Sequence, residues 1–186
     1  FLCAAALLAI VTSPGWTGEK TRLKMSRIAP ICPLALFVVI SIYVQIVLGA
    51  LASHARPHPG GGGETLQGIG NIMHIVWAFA VFTGIFLLAG KLLGLTKAER
   101  LLHPALGLLL LLFLQVCLGF FTFIKQPDPA KVVDEAPTFP VPFDIFVNLR
   151  ISHQSLGVLL LMLSVLVCAR AYRIRALSLD EQEAVV

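Results

Sequence analysis

Charge is scarce in this sequence. Asp, Glu, Lys and Arg make up 13% of its 186 residues, about half of what a soluble domain uses to keep its surface wetted. The shortage is concentrated, because residues 28–55, 66–90, 101–124 and 151–169 contain none of the four. That pattern excludes a water-exposed globule. Cysteine is scarce as well. Cys3, Cys32, Cys117 and Cys168 lie in or beside apolar segments; no pair has metal-ligand spacing, and no C-x-x-C-H run would attach a cofactor covalently. They read as small apolar residues.

What fills the space is hydrocarbon. The chain is 58% hydrophobic with a mean hydropathy of +0.90, and its apolar residues come in blocks rather than stripes. A bilayer core about 30 Å thick asks for about 20 apolar residues per helix, so each block is long enough to cross. Inside hydrocarbon every backbone N–H must be satisfied within its own segment, which makes each block a helix. The expected fold is all-α: an integral membrane four-helix bundle with helices over about 33–53, 71–91, 102–125 and 150–172. The net charge of +4 could suggest a nucleic-acid partner, but its distribution excludes one. Lys20, Arg22, Lys24 and Arg27 precede the first helix. Lys91, Lys97 and Arg100 lie between the second and third, and Arg170, Arg173 and Arg175 follow the fourth. Only Arg56, Lys125, Lys131 and Arg150 fall on the other side. Basic residues in short flanks stay inside, so both termini are expected to be cytoplasmic and the two longer loops outward.

The domain reading is a 1–32 amino-terminal extension, a 33–172 four-helix transmembrane domain and a 173–186 cytoplasmic tail whose end, 180–186, is expected to be disordered. The first outward loop, 54–70, holds Pro57, Pro59 and the run Gly60–Gly63 and reads as flexible. The second, 126–149, carries Phe139, Phe143 and Phe146, which suit a segment lying along the interface. Residues 1–12 are apolar but too short to span, and no basic region precedes them as in a signal peptide. Met25 follows the basic cluster and stands just before the first credible helix, so the expected native start is Met25. Intact mass of the natively expressed protein checks this, and a mass that includes residues 1–24 rejects it.

The chain repeats itself. Gln45-Ile46-Val47-Leu48-Gly49 in the first helix matches Gln115-Val116-Cys117-Leu118-Gly119 in the third, and Ile72-Met73-His74 opening the second matches Ile151-Ser152-His153 opening the fourth. Two hairpins of the same orientation imply a pseudo-two-fold axis along the membrane normal. Ionisable residues inside spans are rare and functional by default. Two histidines at one depth on symmetry-related helices can place a nitrogen on each side of a central iron, and neutral imidazole is a common axial ligand of haem. His74 and His153 are therefore the expected metal ligands of a haem. Gly49, Gly119, Ala78 and Gly157 are small residues one turn from Gln45, Gln115, His74 and His153. They serve either close helix packing or room for a planar macrocycle. Arg56, Lys125 and Arg150 stand at the outer edge, where they either bind propionates or snorkel. His103 reads as an interfacial residue. His54 and His58 do not share a regular helical face as a metal pair, and His54 could instead meet a substrate or propionate.

The segments 45–55 (QIVLGALASHA), 115–122 (QVCLGFFT) and 152–157 (SHQSLG) resemble the haem A synthase family over all four helices. Members have two similar four-helix halves, each with a histidine pair for a haem, and this chain is similar to one half. The resemblance implies that His74 and His153 ligate haem b, with Gln45, Gly49, Gln115, Gly119, Ala78, Gly157 and Arg150 around it. It also implies oxidation of a methyl group of haem O to the formyl group of haem A. Where the catalytic half carries a glutamate three residues before its first histidine, this chain has Asn71. The cysteine pair of the first outward loop is also absent, so the likeness is to the cofactor-holding half. Glu64, the one acid of that loop, is the candidate catalytic residue.

The leading expectation is a membrane haem protein for haem A formation or haem handling in terminal oxidase assembly. It would sit in an inner (plasma) or equivalent energy-transducing membrane, with an unassigned electron donor and a homodimer or partner half-chain completing a two-haem unit. Two rivals stay open: a non-enzymatic bis-histidine haem b electron carrier, and a haem-free membrane assembly subunit.

Overall fold

A computed structural model describes residues 2–13, 16, 25–54, 63–95, 99–125 and 145–183. All regular structure among them is helical: α1 (Leu2–Val11), α2 (Met25–Ile28), α3 (Ile31–His54), α4 (Gly63–Leu93), α5 (Glu99–Ile124) and α6 (Ile145–Glu183). Four helices are long and apolar enough to cross a membrane, over Ser26–Ser53, Gly68–Leu93, Leu101–Ile124 and Val147–Leu179. Their outward faces point the same way. Phe79, Phe113 and Phe120 are 69%, 65% and 60% exposed, a surface that only a hydrocarbon solvent tolerates. The fold is consistent with a multi-pass membrane protein.

The helices pack as a ring in chain order. α3 lies against α4 and α6, α5 lies against the same two, and α4 stands diagonal to α6. Matched close approaches show that α3 and α4 run antiparallel. A Cβ on Gly70 would stand 3.0 Å from the Ala52 Cα, and one on Gly84 would stand 3.2 Å from both Phe37 and Val38. Between these, the Trp77 indole N–H donates to the Ser41 carbonyl at 2.9 Å. On the other side, Gly107 lies against Leu163.

The apolar core fills only one half of the ring. Its buried residues include Ile28, Ile31, Cys32, Ala35, Val38 and Ile42 from α2 and α3, Val81, Ile85, Leu88 and Leu92 from α4, Leu101, Ala105, Leu108 and Leu112 from α5, and Leu160, Val167, Ala171 and Ile174 from α6. The core stops at the level of Ile42, Val81, Leu112 and Leu160. Past that level Gln45, Gly49, His74, Gln115, Gly119 and His153 are half-buried, and among the described residues Ala52 is the buried apolar side chain there.

Four boundaries differ from the sequence reading. α6 begins at Ile145, so 145–149, with Phe146, is helix rather than outward loop. α4 begins at Gly63, so 63–70 is helix rather than loop; Glu64, Thr65, Leu66 and Gln67 include good helix formers, and a span already nucleated below extends into them at little cost. α5 begins at Glu99, which places Pro104 inside the helix rather than in its first turn. Its missing N–H then removes one bond, to the Arg100 carbonyl near the helix end where water can serve instead. α6 continues to Glu183, so 180–183 is helical, and at 39 residues it is about 58 Å long, nearly twice the hydrocarbon thickness. α1 packs against α6, and the Arg173 guanidinium lies 5.9 Å from the centre of the Trp16 ring. Residues 55–62, 126–144 and 184–186, with His58, Phe139 and Phe143, lie outside the described residues. Cys32, Cys117 and Cys168 are free thiols, Cys32 buried in the core, as small apolar residues would be.

Gly84→Leu tests the α3–α4 seam. Its side chain meets Phe37 and Val38 already in contact, and overpacking of this kind costs about 1–3 kcal/mol. A Cβ on Gly90 meets nothing within 4 Å, so Gly90→Ala should be neutral or stabilising by up to about 1 kcal/mol. Thermal unfolding in detergent compares the two; equal melting points would separate α3 from α4 at this level.

Candidate functional site

Because α4 and α6 are diagonal, their inward faces look at each other across the bundle. His74 and His153 meet there, with ring centroids 6.4 Å apart and planes at 77°. The other diagonal pair, α3 and α5, supplies a glutamine to each. The Gln45 amide nitrogen lies 3.3 Å from His74 Nε2, and that of Gln115 lies 3.4 Å from His153 Nε2. An amide N–H donates, so both Nε2 atoms act as acceptors. On His74 the other nitrogen fits this tautomer: Nδ1 donates to the Gln45 carbonyl at 3.2 Å. Such a bond to a backbone carbonyl fixes the ring and leaves the Nε2 lone pair for a metal. Gln45 also donates to the His74 carbonyl at 3.0 Å, so its amide is held even if Nε2 is taken by something else.

Each imidazole packs its Cε1 side against a glycine. A Cβ on Gly49 would stand 2.8 Å from His74 Cε1, and one on Gly119 would stand 3.0 Å from His153 Cε1. The two glycines therefore seat the histidine rings themselves. Gly157, buried one turn below His153, lies 3.3 Å from the Gln115 amide by the same measure, which ties this glycine to the glutamine. Ala78, at the matching position on α4, is half-buried. Arg150, one turn before His153, reaches across to α3 and donates to the Ser53 carbonyl at 3.4 Å. Glu64 stands in the first turn of α4, ten residues from His74 and so about 15 Å along the axis; its side chain is outside the described residues, as is that of His54. His103 is exposed near the opposite end of the bundle.

The halves are matched but not identical. His153 meets the Gln115 backbone less closely than His74 meets Gln45, and both glutamine carbonyl oxygens, Gln45 Oε1 and Gln115 Oε1, are buried without a partner. Leaving a buried polar atom unpaired costs about 1–3 kcal/mol, and purely structural polar pairs are usually satisfied. Two such atoms beside two imidazoles mark a site with unused polar capacity. Trp77 and its Ser41 partner have no counterpart on α5 and α6, where Leu156 and Leu111 take the equivalent positions. The sequence reading passed over Trp77, Ser41 and Ser53. Ser53 and Ser41 act through backbone carbonyls, which leave no signal in residue type; Trp77, three residues after His74, did leave one.

Two ligands do not suffice for a bare ion, which takes about four. Among the described residues no group of three or more His, Cys, Asp or Glu could hold a metal. A porphyrin brings four nitrogens and asks the protein for two axial ones. Two metal–imidazole bonds of about 2 Å and two ring radii of a little over 1 Å put axial centroids about 6.3 Å apart, beside the 6.4 Å seen here. In residue type and separation, His74 and His153 would suit a haem iron. Searches among protein-family models, curated proteins and solved structures find no match to this chain.

Gly49→Ala and Gly119→Ala should each displace a histidine ring. The loss of the His74–Gln45 bond and the crowding together cost about 1–3 kcal/mol. Gly68→Ala, whose Cβ would meet nothing within 4 Å, is the control. If Gly49→Ala melted with Gly68→Ala in detergent, His74 would not be seated on Gly49.

Proposed function

We propose that this chain is a membrane haem protein in which His74 and His153 would hold the iron of one haem b. Its role is in haem O to haem A conversion or in haem handling for terminal oxidase assembly. What carries the reading is the doubled seat: two imidazoles at 6.4 Å, each with a glutamine amide at Nε2 and a glycine against its ring, in the half of the bundle without an apolar core. The family resemblance of the glutamine and histidine motifs adds the direction toward haem A. In this proposal the two hairpins, α3–α4 and α5–α6, are related by a pseudo-two-fold axis along the membrane normal. The basic flanks keep both termini on the cytoplasmic side of an inner or equivalent energy-transducing membrane.

Bound there, haem b supplies one-electron redox chemistry. The chain's own residues do the rest. Gly49 and Gly119 set the ring positions, the Gln45 carbonyl holds the proton of His74 on Nδ1, and Gln45 and Gln115 line the approach to Nε2. Arg150 sits at the mouth, where its guanidinium suits a carboxylate such as a propionate, and its bond to Ser53 joins α6 to α3. Glu64, farther out on α4, is proposed to serve turnover rather than haem retention.

A second reading is favoured by one feature. A haem held by both His74 and His153 would offer its iron to neither substrate nor oxygen, which would suit an electron carrier. Under the synthase reading this haem is then the cofactor, and the methyl group to be oxidised belongs to another haem, held by a partner half-chain or a second copy.

The test is an absorption spectrum of the detergent-purified protein, oxidised and reduced, from cells supplied with haem. A six-coordinate low-spin haem is expected, lost in both His74→Ala and His153→Ala. A colourless protein would leave a haem-free membrane subunit as the better account. Extracted haem O or haem A beside haem b favours the synthase over the carrier. In that case Glu64→Gln should lower haem O conversion while leaving the spectrum unchanged.

A further inference from the structure

At the opposite end of the bundle from the histidines, the α2–α3 turn and the last turn of α4 frame an open cavity of about 360 Å³. Ser26, Arg27, Pro30 and Ile31 line it from one side and Gly90 and Lys91 from the other. None of its lining residues is acidic, and neither Arg27 nor Lys91 has an ion-pair partner among the described residues. Among the lining residues Ile31 and Leu95 are buried and apolar, and they give the cavity its floor. On the α4 wall the Gly90 and Leu92 carbonyls are already taken by the N–H groups of Gly94 and Leu95, so those two acceptors do not oppose an anion.

The position matters as much as the charge. Ser26 opens one candidate span and Leu93 closes another, so the cavity lies where hydrocarbon gives way to headgroups. Leu87, exposed on α4 one turn before Lys91 and on the same face, offers an apolar track leading from it into the hydrocarbon. Two cations over an apolar floor, at headgroup depth and beside that track, match a phosphate that carries acyl chains.

We infer that this cavity binds a phosphate-bearing anion, supplied by the headgroup of an anionic phospholipid. The inference is independent of the haem reading, since Lys91 lies 17 residues from His74, about 26 Å along α4.

Native mass spectrometry of the full-length, delipidated protein, titrated separately with phosphatidylglycerol, phosphatidylcholine and sodium phosphate, tests it. Phosphatidylglycerol should bind at least about tenfold more tightly than phosphatidylcholine, and Arg27→Gln with Lys91→Gln should weaken it about thirtyfold. Gly90→Leu should weaken it too, by filling the cavity without removing charge. Leucine is the better helix former and a Cβ there has open space, so this variant stays informative if the double variant does not fold. Lys125→Gln, at the other end of the bundle, should leave binding unchanged. Equal affinity for the two lipids, or wild-type affinity in Gly90→Leu and the double variant, would overturn the inference. Displacement of phosphatidylglycerol by millimolar sodium phosphate, lost in the same variants, would keep the phosphate site and replace the lipid with a soluble donor.

Discussion

Lipid tails are as apolar as leucine, so helices in a bilayer gain little from hiding side chains from their solvent. Close fit and a few shared polar groups hold them together instead. The arrangement follows from this constraint. Gly70 lets α4 approach the backbone of Ala52, Gly84 receives Phe37 and Val38, and Gly107 receives Leu163. Polar bridges are added in the half that holds the histidines: Trp77 to the Ser41 carbonyl, Gln45 to His74, Gln115 to His153, and Arg150 to the Ser53 carbonyl. One half of the bundle is joined by apolar packing, the other by the Gly70–Ala52 approach together with hydrogen bonds.

That division explains how the site can be both polar and ordered. A histidine in hydrocarbon is expensive unless its nitrogens are engaged. Here each ring is pressed against a glycine and met at Nε2 by an amide from the neighbouring helix. The glutamine is a fitting partner because its N–H can rest on a lone pair and yield it without introducing a charge. A lysine in its place would bring a buried cation, and a leucine would leave the nitrogen unpaired.

Much of this was legible in the sequence, and what was not has physical causes. The four spans follow from uncharged runs, because hydrocarbon thickness is a hard limit that composition must meet. The Q-x-x-L-G repeat and the matched histidine depth singled out Gln45 and His74, but that the two bond each other came only from the structure. The ends of the helices were less legible. Gly63, Gly68 and Gly70 read as loop residues, yet α4 runs through them, since a helix anchored in a bundle overrides local propensity. The part played by Gly49 and Gly119 was also hidden. Spacing along one helix showed a small residue near the site; that it takes an imidazole from the next helix depends on ring order and rotation about each axis, which one sequence does not encode. The side chain of Glu64 is not described, and Asn71 is placed without a chemical role.

After Gly157, α6 runs to Glu183 with neither glycine nor proline, so it behaves as one stiff rod. Val167 is buried near its middle, and His153 stands 14 residues away, about 21 Å toward the other end. A tilt of only about 5° around Val167 would carry the imidazole about 2 Å, enough to part it from both Gln115 and Gly119. The contacts that fix α6 beyond Val167, with Ala171 and Ile174 in the core and α1 packed alongside, therefore also bear on where His153 stands.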